Sequence, residues 1–244
     1  TAFVADGSAG LQIIDVDDVP NLFAFSDQIR ILGSVDTPGH AFGVALSGNG
    51  NTAFVADGSG GLLVINVSDQ AILGSFDTPG HARGVALSPD GNIAYVADGG
   101  SGLQIIDPTT PRILGSVDTP GDAYGVAFFA DGTTAYAYVA DGPAGLQVIN
   151  VHDPATLSIL GSVDTPGDAR GVALSSDGTT AFVADKNYNL QVIDVRDPAT
   201  LAILGVGATG DAHGVALSSD GTTAYVAGYN GVTFIDVRDS ASPI

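Results

Sequence analysis

One short pattern recurs along the whole chain and restricts its fold more than any other feature. The tripeptide Val-Ala-Asp, or Val-Ala-Gly in the last copy, occurs six times at spacings of 51, 41, 43, 44 and 43 residues. The copies begin at Val4, Val55, Val96, Val139, Val183 and Val226. Short apolar runs and turns rich in Gly and Asp surround each copy. A period in the low forties with this content is typical of a β-propeller, in which each repeat forms one blade.

Each repeat divides into four strand-like segments joined by turn sequences. Taken from one repeat, the inner, second, third and outer segments are Gly84–Ser88, Ala94–Ala97, Leu103–Asp107 and Ile113–Asp118. The inner segment has small side chains, as a strand near a crowded axis requires, and the third is almost wholly apolar. An Asp-Gly pair makes the first turn because Gly supplies a positive φ. Thr-Pro-Gly then crosses to the next blade, since Pro ends a strand.

These segments predict an all-β fold, a six-bladed β-propeller of four-stranded antiparallel blades, as a single domain over residues 1–244. The blade repeats begin near residues 1, 39, 80, 121, 167 and 210. The inner strand occurs five times, at Gly43, Gly84, Gly125, Gly171 and Gly214, and the outer strand has five complete copies. The first blade therefore lacks its inner strand and the last its outer strand. We expect the native protein to continue past Ile244, or to start before Thr1, and to close the ring there.

The repeat resembles a known family. The stretches Y-V-A-D-G-x-x-G-L-Q-I-I-D and I-L-G-S-V-D-T-P-G-D-A-x-G-V-A resemble the LVIVD repeat of bacterial surface and secreted proteins, with a looser likeness to YVTN-type propellers. The likeness extends over nearly the whole chain. It implies a propeller in an extracellular or cell-surface location in bacteria. The family brings no catalytic motif that could be transferred to these residues, so no catalytic residue is predicted.

The charge of the chain limits its partners. All 27 acidic residues are Asp, against 7 basic residues, which gives a net charge of −20. Most of these Asp residues stand at turns, where their short side chains bond nearby backbone N–H groups. Such a charge repels nucleic acid and anionic membranes. No apolar run approaches the roughly 20 residues of a membrane span, so we expect neither nucleic-acid binding nor membrane insertion. The absence of Cys excludes disulfides and leaves the redox compartment open.

Positions that differ between repeats are the ones that the fold does not dictate. The residue before the inner-strand Gly is Phe42, Arg83, Tyr124, Arg170 or His213. The turn between the second and third strands is uniform in four blades and then changes to residues 186–189 and 228–230. Both positions lie on the blade end that carries the crossovers, which we call the top face. They predict a pocket for a small anionic or hydrogen-bonding ligand at the channel mouth, lined by Arg83, Tyr124, Arg170, Lys186, Tyr188, His213 and Tyr229. The alternative is drift on solvated loops.

A metal site is a second hypothesis for the top face. Two positions before the variable residues stand His40, His81, Asp122, Asp168 and Asp211. Imidazole and carboxylate suit transition ions, and carboxylates with loop carbonyls suit calcium. These positions are spread around a wide circle, so one ion could reach only two or three of them. Loop capping explains them equally well, and no cofactor is established.

Two regular Asp series are predicted to be turn formers, because identical repetition indicates a structural role. One precedes Thr-Pro-Gly and the other follows the second strand; they are Asp36, Asp77, Asp118 and Asp164, and Asp6, Asp57, Asp98, Asp141 and Asp185.

Two insertions interrupt the repeat. The longer one, from Asp15 to Arg30, brings Leu22, Phe23 and Phe25 to the opposite face of blade one. It is predicted to cover the edge of its own blade, or alternatively to dock a partner. The insertion of Tyr136-Ala137 is predicted to form a bulge or a longer turn in blade four.

The sequence leaves three function classes open. Nucleophile elbows, a Cys nucleophile, phosphate-binding loops and a His-Glu-x-x-His motif are all absent. This favours a non-enzymatic, secreted or surface-attached binding module for a small anionic ligand or a protein partner. The rival is a lactonase-like hydrolase, in which Arg170 and Lys186 bind an anionic substrate and His213, with an Asp or a bound ion, activates water. The third class is a structural spacer within a longer surface protein.

Overall fold

The fold was determined from a computed structural model that describes residues 1–15, 30–110 and 112–244. The described residues form 22 strands and no helix, and the strands make six antiparallel sheets. The sheets are arranged in a ring as the blades of a β-propeller, which confirms the predicted fold class. No described helix has the length and apolar character needed to cross a membrane.

The first three blades contain strands β1 to β11. Blade one has three strands, β1 Ala2–Ala5, β2 Leu11–Asp15 and β3 Arg30–Val35. Blade two has four, β4 Gly43–Leu46, β5 Thr52–Ala56, β6 Leu62–Asn66 and β7 Ile72–Phe76. Blade three repeats this with β8 Gly84–Leu87, β9 Ala94–Ala97, β10 Leu103–Asp107 and β11 Arg112–Val117.

The last three blades contain strands β12 to β22. Blade four has β12 Gly125–Ala130, β13 Ala135–Ala140, β14 Leu146–Asn150 and β15 Ser158–Val163. Blade five has β16 Asp168–Leu174, β17 Thr180–Lys186, β18 Leu190–Asp194 and β19 Ala202–Gly207. Blade six has β20 Gly214–Leu217, β21 Thr223–Gly228 and β22 Gly231–Asp236. The described strands of blade one therefore lack an inner strand and those of blade six an outer strand, as predicted.

Glycine in the inner strands of blades two to five lets neighbouring blades approach closely at the axis. A Cβ placed on Gly84 would lie 2.7 Å from the carbonyl oxygen of Tyr124, and one on Gly125 would lie 2.7 Å from that of Arg170. No larger residue fits there without moving the next blade. This close approach sets the side chains one residue earlier, at the variable positions, beside one another around the mouth.

The core lies between blades, where the face of one sheet packs on the next. Blade five presents Phe182 and Val192 to Val226 and Ile235 of blade six, and all four side chains are buried. Equivalent clusters join the other neighbouring blades. Each blade is thus covered wherever it meets a neighbouring blade, as in other repeat proteins whose units cannot bury their apolar faces alone.

Two local features differ from the sequence expectation or go beyond it. The Tyr136-Ala137 insertion makes no bulge; it lengthens the β12–β13 hairpin, whose register stays unbroken from Gly125 to Ala130. A bulge does occur between the third and outer strands, where Leu114 is the extra residue between Ile113 and Gly115. The same shift occurs in the four other blades that have an outer strand. The predicted roles of Leu22, Phe23 and Phe25 in the long insertion fall outside the described residues.

Candidate functional site at the channel mouth

A buried aspartate fixes each complete crossover loop to its own blade. The Asp141 carboxylate accepts hydrogen bonds from the Thr119 hydroxyl at 2.6 Å and from the Gly121 N–H at 2.9 Å. Asp57, Asp98 and Asp185 make the same pair of bonds to Thr37 and Gly39, Thr78 and Gly80, and Thr165 and Gly167. We call this arrangement the crossover latch. It holds the loop that carries the variable residues, so their positions follow from the invariant part of the repeat.

The latch corrects the prediction that these aspartates are turn formers. Their role is structural, as repetition indicated, but each side chain reaches a loop 18 to 22 residues earlier, as the bonds of Asp57 and Asp141 illustrate. All four carboxylates are fully buried. Burial raises the pKa of Asp98, Asp141 and Asp185 above its ordinary value, and the bonds from the Thr hydroxyl and the Gly N–H oppose this rise. A buried carboxylate without such donors would be much more costly to the fold.

Backbone bridges then fix the next blade beside the first. Gly58 donates to the carbonyl of Ala82 at 2.8 Å and accepts from its N–H at 3.1 Å. Paired bridges also join Gly7 to Ala41, Gly99 to Ala123 and Gly142 to Ala169. In each case the alanine directly precedes the variable residue. The variable side chains therefore start from rigid backbone, which is how precise binding sites are generally built.

Four of these variable residues form a continuous stack of alternating aromatic and cationic side chains. The Arg83 guanidinium carbon lies 5.5 Å from the centre of the Phe42 ring and 4.6 Å from that of Tyr124. The guanidinium carbon of Arg170 lies 4.0 Å from the centre of the same Tyr124 ring. We call Phe42, Arg83, Tyr124 and Arg170 the mouth ladder. Each such contact is worth about 0.5–2 kcal/mol and holds the guanidinium plane in place.

The two arginines of the ladder differ in their electrostatic surroundings. Arg170 donates to the Asp168 carboxylate at 3.2 Å, so its charge is largely balanced. Arg83 has His81 at the position equivalent to Asp168, and no carboxylate of the described residues lies within ion-pair distance of it. The Nε atoms of both arginines are buried and have no hydrogen-bond partner in the described structure. Arg83 is thus a preorganised cation that lacks an anion.

A cavity of about 240 Å³ opens beside Arg83. It is lined by His40, Phe42, Gly58, Ser59, His81 and Arg83. This volume is below that of typical drug-sized pockets, which measure about 300–1,000 Å³. The lining supplies one guanidinium, two imidazoles and a hydroxyl around an aromatic wall. That chemistry suits a small anion.

At the channel mouth, the loops of blades five and six make different hydrogen bonds from those of the other blades. The Asn187 N–H donates to the Asp211 carboxylate at 3.2 Å, and the Asn189 side-chain oxygen accepts from the N–H groups of Thr209 and Gly210. Both asparagines have positive φ, of 66° and 72°, which Asn tolerates better than most residues. These bonds take the place of the latch, because blade six has Gly228 where the other blades have aspartate. Much of the sequence variation in this turn therefore has a structural explanation.

The predicted site residues fall into two groups. Tyr124 contacts both Arg83 and Arg170, whereas His213 packs edge-on against Tyr229 at 4.6 Å and bonds Asp211 at 3.2 Å. No ring or cation–π contact among the described residues joins the two groups. Tyr188 and Tyr229 are exposed, and Lys186 is half-buried at the end of β17. Five of the seven predicted residues belong to blades five and six, while the cavity beside Arg83 lies at blades two and three.

The metal hypothesis finds no support in the described part of the chain. It contains no group of three or more His, Asp, Glu or Cys side chains placed to hold an ion. His40 and His81 instead line the cavity beside Arg83. Their appearance at one repeat position was visible in the sequence, but the adjacent Phe42 and Ser59 could be assigned to the same cavity only from the structure.

The chain matches the models of two known families. The LVIVD repeat matches residues 121–165, 166–208 and 209–244, and a domain of unknown function, DUF5074, matches residues 7–137. The chain belongs to the LVIVD-repeat family. No curated protein matches the sequence.

Solved structures with the same fold share little sequence with this LVIVD-repeat chain. A candidate 6-phosphogluconolactonase from Bacteroides uniformis has a TM-score of 0.77 at 18% identity, over 98% of this chain and 78% of that one. A functionally unknown protein from Desulfotomaculum acetoxidans has a TM-score of 0.72 at 16% identity, over 99% and 80%. Hydrazine synthase from Kuenenia stuttgartiensis has a TM-score of 0.69 at 19% identity, over 85% and 67%. At these identities the likeness extends to the fold alone.

Proposed function

We propose that this propeller is a binding module that holds a small anion at the channel mouth beside Arg83. The observation that carries the proposal is the half-buried Arg83, whose charge no carboxylate of the described residues balances, within a chain of net charge −20. An acidic protein gains no general attraction for anions, so a fixed cation in a cavity provides local and specific binding. As the family resemblance implies, we propose that the module works outside the bacterial cell.

The ladder explains how such a site would discriminate between ligands. Phe42 and Tyr124 both pack against the Arg83 guanidinium, whose carbon lies over each of their rings. A guanidinium held between aromatic side chains favours planar or tetrahedral oxyanions that accept two parallel N–H bonds. His40, His81 and Ser59 lie around the same cavity and can add hydrogen bonds. A small carboxylate or phosphate fits these donors, and a large apolar ligand does not fit the volume.

Titration calorimetry at low ionic strength tests the proposal, with inorganic phosphate, succinate and citrate as probes. We expect Arg83→Gln to weaken binding about ten- to a hundredfold, since hydrogen bonds to charged groups contribute about 1.5–3 kcal/mol. Arg112→Gln is the matched control, because Arg112 is an exposed arginine at the start of β11 and its substitution changes the net charge equally. Absence of binding by every probe, or equal binding by Arg83→Gln, would contradict the proposal.

A second candidate is lactone hydrolysis at blade six, which the His213–Asp211 pair supports. Asp211 accepts from Nε2 of His213 at 3.2 Å in one tautomer, which leaves Nδ1 able to take a proton from water. In that scheme Arg170 and Lys186 would bind the anionic substrate. Assays with a panel of small lactones should then show turnover that His213→Ala abolishes and Arg83→Gln leaves unchanged. Hydrolysis no faster than the uncatalysed reaction would remove this candidate.

A further inference from the structure

Another cavity, of about 320 Å³, lies between blades four and five at the end of the blades opposite the channel mouth. Its walls come from the β12–β13 hairpin of blade four, from the β16–β17 turn of blade five and from the loop that follows β18. Its size lies within the range of about 300–1,000 Å³ that is typical of small-molecule sites. The described residues that line it are all different from those beside Arg83.

This cavity occurs where an aromatic contact between two other blades has no counterpart. Tyr95 of blade three stacks on Phe128 of blade four, with 4.6 Å between the ring centres. Tyr138 of blade four is the equivalent of Tyr95, but blade five has the smaller Leu174 where blade four has Phe128. Because no aromatic ring occupies that place, Tyr138 lines the cavity.

Tyr138 brings a buried polar atom to the cavity. The residue is 1% exposed, and its hydroxyl makes no hydrogen bond to the described residues. Burial raises the pKa of Tyr138 to about 12, so the hydroxyl is uncharged at neutral pH. Buried tyrosine hydroxyls usually have a hydrogen-bond partner. A hydroxyl that lacks one beside a cavity indicates that a polar group of a ligand can bond it.

The longer hairpin of blade four adds an aromatic wall. Phe129 and Tyr136 are paired across β12 and β13, and both line the cavity. The Phe129 ring also packs on the turn of blade five, where a Cβ on Gly178 would lie 2.5 Å from it. This contact fixes the wall against the neighbouring blade. Aromatic rings of this kind contact alkyl groups and attract cations to their faces.

Two exposed carboxylates at the rim of the cavity each keep one oxygen available. Asp131 and Asp177 accept the hydrogen bonds of their own turns through Oδ1, and neither Oδ2 accepts one from the described residues. Hydrogen bonds, chiefly from the Thr133 N–H and the Ser175 hydroxyl, lower the pKa of Asp131 and Asp177 respectively. Both carboxylates are therefore ionised at neutral pH.

Arg196 also lines the cavity, but its charge is already balanced. Its guanidinium is ion-paired with Asp194, two positions earlier in the chain. The same pair recurs in blade six between Arg238 and Asp236, so it belongs to the repeat and not to the cavity. The described lining therefore has a net negative charge, which attracts cations and repels anions.

We propose that this cavity binds a small primary ammonium compound. The rings of Phe129 and Tyr136 contact its alkyl part, and the Tyr138 hydroxyl accepts a hydrogen bond from its ammonium group. Asp131 and Asp177 balance the positive charge from the rim. A neutral alcohol would bond the hydroxyl but leave the carboxylates unpaired, and a quaternary ammonium has no N–H to donate. This proposal is independent of the anion site beside Arg83.

The chain itself shows how to remove one carboxylate without disturbing its turn. Asn49 stands in blade two where blade five has Asp177, and its Oδ1 is bonded to the Ser47 hydroxyl at 2.8 Å and to the Asn51 N–H at 3.0 Å. We therefore expect Asp177→Asn to fold normally and to lose only the charge. Asp90→Asn is the matched control, because Asp90 is the equivalent residue of blade three and lies outside the cavity.

NMR titration of the 244-residue chain at low ionic strength tests the proposal, with n-butylammonium chloride as the probe. We expect saturable binding, with n-butanol and tetramethylammonium binding more weakly. Asp177→Asn should weaken n-butylammonium binding about three- to fivefold, as expected for an exposed ion pair, and Asp90→Asn should leave it unchanged. Tyr138→Phe, which keeps the ring and removes the hydroxyl, should weaken n-butylammonium binding without changing that of tetramethylammonium.

Four results would overturn the proposal. The first is the absence of saturable n-butylammonium binding to the wild-type chain. The second is an equal effect of Asp177→Asn and Asp90→Asn, which would mean only the general attraction of an acidic protein for cations. The third is n-butanol binding as tight as that of n-butylammonium, which would leave an apolar cavity without selectivity for charge. The fourth is n-butylammonium binding that Tyr138→Phe does not change.

Discussion

Blade four and the two end blades contain the same repeat, but its residues meet different environments. Tyr138 of blade four is 1% exposed, and its equivalent in blade six, Tyr225, is 37% exposed. Asp141 of blade four bonds Thr119 and Gly121, and its equivalent in blade one, Asp6, is exposed without such partners among the described residues. The Thr119 hydroxyl is bonded, and that of Thr209, its equivalent before blade six, is buried without a partner in the described structure.

The difference shows that the contribution of a repeat residue to stability depends on whether a neighbouring blade covers it. A propeller blade is a thin sheet whose two faces are buried only by other blades, so its stability is close to a sum of nearest-neighbour terms. Identical residues should therefore have very different mutational costs in the middle of the array and at its ends. Matched substitutions in a central blade and in an end blade test that statement.

The largest difference is expected for the core tyrosines. Tyr138→Ala should lower the free energy of unfolding by about 3–5 kcal/mol, because it leaves a cavity between blades four and five. Tyr225→Ala removes a partly exposed ring and should cost about 1 kcal/mol or less. Urea unfolding followed by circular dichroism measures both. Equal costs would mean that blade six is covered in solution.

The next largest difference in stability is expected for the aspartates at the latch position. Asp141→Ala leaves the Thr119 hydroxyl and the Gly121 N–H without their acceptor, and each buried unsatisfied group costs about 1–3 kcal/mol. Because the substitution also removes a buried charge, the net loss of stability should be about 2–3 kcal/mol. Asp6→Ala should change stability by less than about 0.5 kcal/mol. The same unfolding assay applies, and a large loss for Asp6→Ala would show that its latch is already occupied.

The latch threonines give a smaller difference with opposite signs. Thr119→Val removes a donor to a buried carboxylate and should cost about 1–2 kcal/mol. Thr209→Val replaces a hydroxyl that has no partner and should be neutral or stabilising by a few tenths of a kcal/mol. Differential scanning calorimetry resolves these shifts. A destabilised Thr209→Val variant would reveal a partner for that hydroxyl.

The dependence of stability on pH is the smallest effect. Burial raises the pKa of Asp98, Asp141 and Asp185 above the ordinary 3.8, so the folded state binds protons that the unfolded state does not. Their contribution to stability is complete below that value and is lost as the pH rises through the raised pKa. Acidification from about pH 7 to about pH 4 should therefore maintain or increase stability, and Asp141→Ala should reduce this gain.

Stronger acid should reverse the trend through the turn aspartates. Hydrogen bonds and ion pairing with Arg196 and Arg238 lower the pKa of Asp194 and Asp236 to about 2. Their contribution is present above about 3.8 and is lost as the pH falls towards 2. Unfolding in urea at a series of pH values tests both trends. A steady loss of stability from neutral pH downwards would contradict the assignment for the buried carboxylates.

The fold could be predicted from the sequence because the pattern that indicates each strand recurs in several repeats. Period, Asp-Gly turns and Thr-Pro-Gly crossovers predicted six blades and both incomplete ends. The latch was missed because it joins residues about 20 positions apart, such as Thr37 and Asp57, and nothing in the local pattern pairs them. The bulge at Leu114 was missed for a similar reason, since it depends on register between two strands.

The candidate site could be predicted only in part. Arg83, Tyr124 and Arg170 stood out because they vary where the repeat is uniform, and the structure places them in contact. Whether each arginine is balanced depends on the residue two positions earlier, His81 or Asp168, and that required the actual distances. Asn187 and Asn189 also varied, but their contacts are structural. Variation between repeats thus identifies candidate binding residues, but it does not distinguish them from residues that compensate for a change elsewhere in the fold.

Amide hydrogen exchange of the wild-type chain, read by mass spectrometry, tests the central comparison most directly. Exchange reports local opening, and strands paired on both sides are protected more than edge strands. We predict slow exchange for β13 and β18, which are paired on both sides, and fast exchange for β1 and β22, which are each paired on one side in the described sheets. Equal protection of all four strands would contradict the account, because it would mean that the end blades are covered like the others.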